Sequence, residues 1–318
     1  MEEQESLIQP ETSELVVYPE KPVIEESAKS LVPSLVSVGL FIGLFYLVFD
    51  WEFSGILLLV GVLFIHELGH FLAMKAYNYK DVSMFFVPFF GAFVSGSKEQ
   101  LSQRQSAVVL LAGPLPGIVI GSVVYYYAVK YNHNVLFSVA NFFLFLNLFN
   151  LLPVMPLDGG RFIKCIYFES STLISNLFSY LSIGALLYYA FTSQSYLFLL
   201  VPGLLMLQLL AQSQLKKTRK AVQDKGLTLN KSYDELSNEE YWLIRDEIGK
   251  HIPSFRKYIT PGTYETTENE FKVLEQVKAV IQKEPVKDLS VAGKIVFTLI
   301  WIISFILPVV VIGLSRWF

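Results

Sequence analysis

The sequence predicts an all-α polytopic membrane bundle of about seven transmembrane helices with a small re-entrant β-hairpin. Three observations predict it. Of 318 residues, 53% are hydrophobic and only 17% charged, a balance that soluble globular domains do not usually show. The apolar residues gather in runs close to the roughly 20 that span a bilayer. These runs cover about 32–50, 54–77, 105–130, 135–152, 172–192, 196–212 and 293–315. A further apolar stretch, "DVSMFFVPFFGAFVSGSK" (Asp81 to Lys98), is broken by Pro88 and Gly91 and is rich in the strand-favouring residues Val and Phe.

The elements follow in order. Residues 1–30 are acidic and polar, contain prolines and lack an apolar signal core, so a disordered cytosolic tail is expected. Residues 31–212 are the membrane core. Within it, 82–97 is too short to cross and return as helices and reads as a hairpin that enters the membrane and turns back. Irregular backbone at that depth must pack on protein or line a cavity. Residues 213–292 read as a small helical cytosolic module. Ser237 with Glu240, and Thr267 with Glu270, have the spacing of capping boxes, and Phe271, Leu274, Val277, Val280 and Ile281 form an apolar stripe at helical spacing. That stripe is either the module's own core or a membrane-docking face. Residues 293–318 hold the final transmembrane helix.

Charge sets the orientation. Lys29, Lys75, Lys80, Lys98, Arg104, Arg161, Lys164, Lys294 and the run "LKKTRK" (Leu215 to Lys220) fall on one face when the spans alternate; Lys130 and Arg316 fall on the other. The positive-inside rule makes the first face cytosolic, with the N-terminus and 213–292 on it. A multi-pass protein of a bacterial inner (plasma) membrane is expected, its partners the lipid bilayer and other membrane proteins. The net charge is −3 and no large basic block exists, so no nucleic acid is expected as a partner. A single cysteine, Cys165, excludes an internal disulfide framework.

The second apolar run carries three ionisable groups within five residues, "HELGH", and such groups are costly inside a bilayer. Its pattern is H-E-x-x-H. On a helix, four residues turn about 400° and rise about 6 Å, so His66 and His70 share one face and their rings can converge on one zinc ion. Glu67 is placed to act as general base on a metal-activated water. Gly69 keeps the helix surface low beside them. A third ligand must come from elsewhere, and acidic residues near the spans are few: Asp50, Glu52, Asp158 and Glu169. Asp158 ends "NLFNLLPVMPLDGGR", where Pro153 and Pro156 stop the helix and Gly159 and Gly160 permit a sharp turn. The break lets its carboxylate bend toward the histidines. Asn147 and Asn150 lie on one face just before the break. Either they bond neighbouring helices or they position substrate, Asn150 by donating to a carbonyl beside the metal. His133 and Cys165 read as structural. Glu99 and Arg104 read as a solvated loop.

Three stretches together resemble the site-2 proteases, membrane-embedded zinc metalloproteases. They are "HELGH", "NLLPVMPLDGG" and "LAGPLPG" (Leu111 to Gly117), and the resemblance covers roughly residues 54–168. It implies one Zn2+ per chain held by His66, His70 and Asp158, Glu67 as catalytic base, and Asn150 as a substrate-positioning residue. It also implies that the hairpin lies beside the active site. Its strand residues Ser83, Met84 and Phe85, or Phe93 and Val94, are then candidates to hold an unwound substrate by strand addition. The implied reaction is cleavage within a transmembrane segment of a single-pass protein that has already been trimmed. Two departures stand out. Pro116 and Gly117 occupy the neighbourhood where many members carry an Asn, and the connections are too short for an inserted PDZ domain. The rival readings are a membrane zinc transporter, which would need a train of ligands across the bilayer, and a non-catalytic relative that binds membrane proteins.

Overall fold

The computed structural model describes residues 18–23, 32–48, 52–88, 91–98, 100–168, 172–194, 199–283 and 285–315. The chain divides into two compact units, one of residues 26–212 with 283–318 and the other of 1–25 with 213–282.

The first unit is a multi-pass membrane core. Four helical segments are long and apolar enough to cross a bilayer: Phe53–Ala76, Gln103–Lys130, Leu173–Thr192 and Val291–Ser315. Two shorter apolar helices, α1 (Val32–Val48) and α5 (Asn134–Asn150), accompany them. The expected count of about seven spans therefore stands, among the described residues, as four full-length and two shorter apolar helices. The sixth apolar run lies in a longer helix, α8 (Leu200–Asp224), whose second half is charged.

α2 (Phe53–Ala76) carries the H-E-x-x-H motif near its C-terminal end and packs on α1, α3 (Gln103–Ala112), α4 (Pro114–Lys130) and α5. Gly69 allows the close approach to α3, because a Cβ there would overlap the Ala112 carbonyl. α4 and α5 pack face to face, and the last helix, α11 (Val291–Ser315), lies on α4. Their shared core is Leu111, Ile118, Tyr125, Leu144, Leu151, Phe162 and neighbours.

The hairpin is present. β1 (Lys80–Val87) pairs antiparallel with β2 (Gly91–Ser97), with Met84 opposite Val94 and Phe85 opposite Phe93. Phe86 is buried against Phe41 of α1 and Leu59 and Leu63 of α2, which anchors the sheet to the bundle. The Phe86 N–H donates to Ser37 Oγ of α1 at 3.0 Å. That bond points away from β2, so in the antiparallel ladder Ala92 and Val94 also aim their backbone groups outward.

The second unit has its own core. α9 (Asn238–His251) and α10 (Glu270–Ile281) bury Trp242, Ile244, Ile248, Val273, Leu274, Val277 and Val280 together. The predicted stripe is this core, with one change: Phe271 points outward and Val273 takes its place. Ser237 and Glu240 form a complete capping box on α9. Thr267 and Glu270 do not, since α10 begins at Glu270 itself. The Glu270 carboxylate is drawn instead to Arg245, at 2.9 and 3.2 Å, and to the Tyr241 hydroxyl at 2.6 Å, with the Thr267 N–H donating at 3.0 Å. Arg245 is only 1% exposed, so this pairing neutralises a fully buried guanidinium. Burial pushes the Glu270 carboxyl up, but the bonds from Arg245, Tyr241 and Thr267 outweigh it and hold it below its ordinary value. The compact unit ends at Gln282, and residues 285–290 run with the membrane core: Val286 bridges to Ser102, and Asp288 accepts from Ser102 Oγ and the Arg104 N–H. Arg104 therefore sits in the first turn of α3 rather than in a loop; Glu99 lies outside the described residues.

Within the 1–30 segment expected to be a disordered tail, residues 18–23 have a fixed place on the second unit. Tyr18 packs on its core, and Lys21 and Pro22 are half-buried.

Candidate metal centre

α2 supplies His66, Glu67 and His70, all buried. α5 ends at Asn150, and residues 151–157 form a tight loop that delivers Asp158 as the first residue of the short helix α6 (Asp158–Ile163). The loop is clamped from two sides. The Met155 N–H donates to Ser182 Oγ of α7 (Thr172–Thr192), at 3.1 Å, and the Trp301 indole of α11 donates to the Leu151 carbonyl, at 2.9 Å. Asp158 thereby reaches both histidines.

His66 Nε2 and His70 Nε2 each lie 3.1 Å from Asp158 Oδ2 and 3.2 Å from one another. The opposite ring nitrogens fix the tautomers. His70 Nδ1 is 2.7 Å from the Val109 carbonyl of α3, which can only accept, so Nδ1 carries the proton. His66 Nδ1 is 2.8 Å from Asn147 Oδ1, and the Asn147 amide nitrogen donates to the Phe143 carbonyl at 2.8 Å, which turns its oxygen toward the ring. Both Nε2 atoms are then bare lone pairs, and they converge with a carboxylate oxygen on one buried space.

Three acceptors with no donor between them repel one another unless a cation joins them. The ligand atoms of a tetrahedral zinc site, about 2.0–2.1 Å from the ion, lie about 3.3–3.4 Å apart, close to the edges of this triangle. The residues present therefore fit a zinc ion, and the partners at Nδ1 are the outer support such ligands require. Among the described residues, His66, His70 and Asp158 are the group able to hold a metal in this way. Glu67 is buried on the same helix, about 60–100° around its axis from the two histidines.

The other candidates fall into place around this triangle. Asn147 is completely buried and both ends of its amide are engaged within the protein, so it supports His66 and is not free to contact substrate. Asn150 is half-buried at the end of α5, its amide nitrogen on the Leu146 carbonyl at 3.1 Å. Glu52 is exposed at the start of α2, while Asp50 and Glu169 lie outside the described residues. His133 caps α5, accepting from the Leu136 N–H, and Cys165 Sγ contacts the Gln103 carbonyl, as befits structural roles. Of the hairpin residues, Ser83, Phe85 and Phe93 spend their backbone groups on the ladder, Met84 faces α1, and Val94 faces outward on the open edge of the two-stranded sheet. Sequence reasoning missed Val109, Ser182 and Trp301. The first acts through a backbone carbonyl that no side-chain pattern reveals, and the other two are polar groups in helices read only for their hydrophobicity.

The two glycines around Ala-Gly-Pro are explained by this packing. A Cβ on Gly113 would overlap His70 Nε2, and one on Gly117 would overlap the Asn147 amide. Gly117 thus leaves that space to Asn147.

Comparison with known proteins finds relatives among the peptidases. Residues 54–138 match the model of peptidase family M50. A zinc metalloprotease of Methanocaldococcus jannaschii is 29% identical over 149 residues, 43% of each chain. The stage IV sporulation protein FB of Bacillus subtilis is 30% identical over 116 residues, 36% of this chain and 40% of that protein. The chain thus spans less than half the length of these curated relatives. The solved site-2 protease from Methanocaldococcus jannaschii aligns with 55% of this chain and 84% of its own, at 24% identity and a TM-score of 0.40.

Proposed function

On the premise of a membrane core of the site-2 protease kind, we propose that the protein is an intramembrane zinc metalloprotease that hydrolyses peptide bonds within transmembrane segments of other proteins. The observation that carries this reading is the triangle of His66 Nε2, His70 Nε2 and Asp158 Oδ2, with Glu67 beside it on the same helix. These three residues would hold one ion per chain. A zinc ion held there would supply a Lewis acid and a water whose pKa is lowered toward about 7. Glu67 accepts a proton from the attacking water and passes it to the amine that leaves. Asn147 and the Val109 carbonyl keep both rings in the required tautomer. Asn150 donates to the carbonyl oxygen under attack.

The substrate is a transmembrane helix of a single-pass protein, already trimmed. A helix hides its carbonyls in i→i−4 bonds and must unwind before attack. The outward backbone of Ala92 and Val94 supports the addition of such an extended strand to β2, since the outer side of β1 is occupied by Ser37 at Phe86. α1, α5 and the apolar half of α8 complete the seven spans. The N-terminus and the second unit are cytosolic, and the membrane is the inner membrane of a bacterium.

Glu67→Gln tests the assignment. The variant, co-expressed with a tagged single-pass substrate, retains zinc and yields no cleavage product. Cleavage at the wild-type rate removes Glu67 from the mechanism.

A further inference from the structure

Residues 18–23 read Tyr-Pro-Glu-Lys-Pro-Val, a segment without regular secondary structure that lies along the second unit. These six residues make several directed contacts. The Tyr18 ring meets Tyr264 edge-on, centroids 5.0 Å apart. The Trp242 indole N–H donates to the Pro19 carbonyl at 2.8 Å, and the Tyr233 hydroxyl donates to the Pro22 carbonyl at 2.7 Å. The Lys21 N–H donates to Asn238 Oδ1 at 3.0 Å. The Lys21 ammonium has three donors, and it meets three carbonyls: Tyr233 at 2.8 Å, Asp234 at 3.1 Å and Leu236 at 2.6 Å. It also sits 5.0 Å from the centroid of the Tyr233 ring.

This chemistry is that of a peptide-reading site. Prolines three apart stand one turn apart on an extended polyproline helix, and indole and phenol donors aimed at the carbonyls of such a segment are how aromatic grooves bind it. The carbonyl trio adds a selector. It satisfies an ammonium donor for donor, whereas a planar guanidinium presents its five donors in a fixed fork that three converging carbonyls do not match. A segment that served only to fill space would not need two of its carbonyls and both Lys21 donor groups answered in this way.

We propose that residues 213–282 form a binding site for extended peptides of the form Tyr-Pro-x-Lys-Pro, and that the chain's own residues 18–23 occupy it in cis as a detachable strap. Lys21 is the residue the site selects. Tethering through the chain gives the strap an effective concentration on the order of mM, so free peptide of the same sequence at micromolar concentration does not displace it. The proposal is independent of proteolysis, since it concerns peptide binding alone.

The test uses a fluorescent peptide spanning residues 15–25 and the detergent-solubilised full chain, read by polarisation. Deletion of residues 1–24, or Lys21→Glu in the intact chain, opens the site, and both proteins bind the peptide at least tenfold more tightly than wild type does. A peptide with Met or Arg in place of Lys21 binds at least tenfold more weakly than the native one, and Trp242→Phe in the opened chain weakens binding as well. Equal binding by wild type and the opened chains overturns the proposal, as does equal binding of the Met peptide. Absence of binding to both opened chains, with their helical content intact, also overturns it. Amide hydrogen exchange on the unaltered chain keeps the proposal open to refutation even if both variants misfold, because it requires the Lys21 amide to be protected. The Lys21 amide exchanges at least tenfold slower than in the free peptide if the strap is seated, and at the free-peptide rate if it is not.

Discussion

Replacing Asn147 by Ala tests the centre through a residue that cannot touch an ion. Its Oδ1 accepts the only proton on His66, at 2.8 Å, in a place with no exposure at all. Alanine leaves that N–H buried without an acceptor, which costs about 1–3 kcal/mol. The ring escapes the cost by rotating or by moving its proton to Nε2, and either change withdraws the lone pair that faces Asp158. Loss of such an outer partner lowers metal affinity about 10–100-fold, equivalent to about 1.4–2.7 kcal/mol, so the two estimates agree. The assay is competition for zinc between the purified protein and a chromogenic chelator. Asn147→Ala should shift the half-loss of zinc to chelator concentrations 10–100-fold lower. Asn150→Ala, on the same helix face but with its amide nitrogen on the Leu146 carbonyl, should leave it unmoved. Wild-type zinc retention in Asn147→Ala, or an equal loss in Asn150→Ala, would refute the division of labour between the two asparagines.

Gly113→Ala places a methyl group where His70 Nε2 now lies, so the purified protein should contain well under one zinc per chain by elemental analysis while keeping its helical content. Val94→Pro removes an outward N–H without breaking a ladder bond, whereas Phe93→Pro breaks one. Substrate cleavage should fall in the first with zinc retained, and unchanged cleavage would remove strand addition to β2. The second unit should show acid sensitivity from Glu270, whose carboxyl is held below its ordinary value of 4.5. Because the folded value is the lower one, the stabilisation is complete above pH 4.5 and is lost as pH falls through the folded value. Hydrogen exchange of α9 amides against pH reads this directly, and Glu270→Gln should flatten the profile.

Much of the centre was legible in the chain because its signals are local. Two histidines four apart in an apolar helix announce a shared face, and the Pro and Gly residues around Asp158 announce a break that can turn a carboxylate inward. The hairpin was legible for a similar reason, as Val and Phe on either side of Pro88 and Gly91 favour two strands over the alternative of an interfacial loop. What escaped is non-local. Asn147 and Asn150 present the same residue type on the same helix face, and only the position of His66, 81 residues earlier, separates them. Residues 18–23 look like part of an acidic tail because their partners at Tyr233 to Trp242 lie more than 200 residues away. Phe271 fits the helical stripe as well as Val273 does by apolarity alone. The position of α10 against α9 decides between them.

The bond from the Trp301 indole to the Leu151 carbonyl joins residues 150 positions apart. A ribosome adds about 5–20 residues per second, so roughly 8–30 s separate the synthesis of the two partners. Through that interval the end of α5 lacks one of its fastenings, and the loop that presents Asp158 is held by α7 alone. In the order of synthesis, the later of the two fastenings is the one carried by α11. A chain still threading into the bilayer lacks that second fastening on the loop that carries Asp158. The long-range bond therefore marks completion, since it can form only once synthesis has moved well past the loop it fastens.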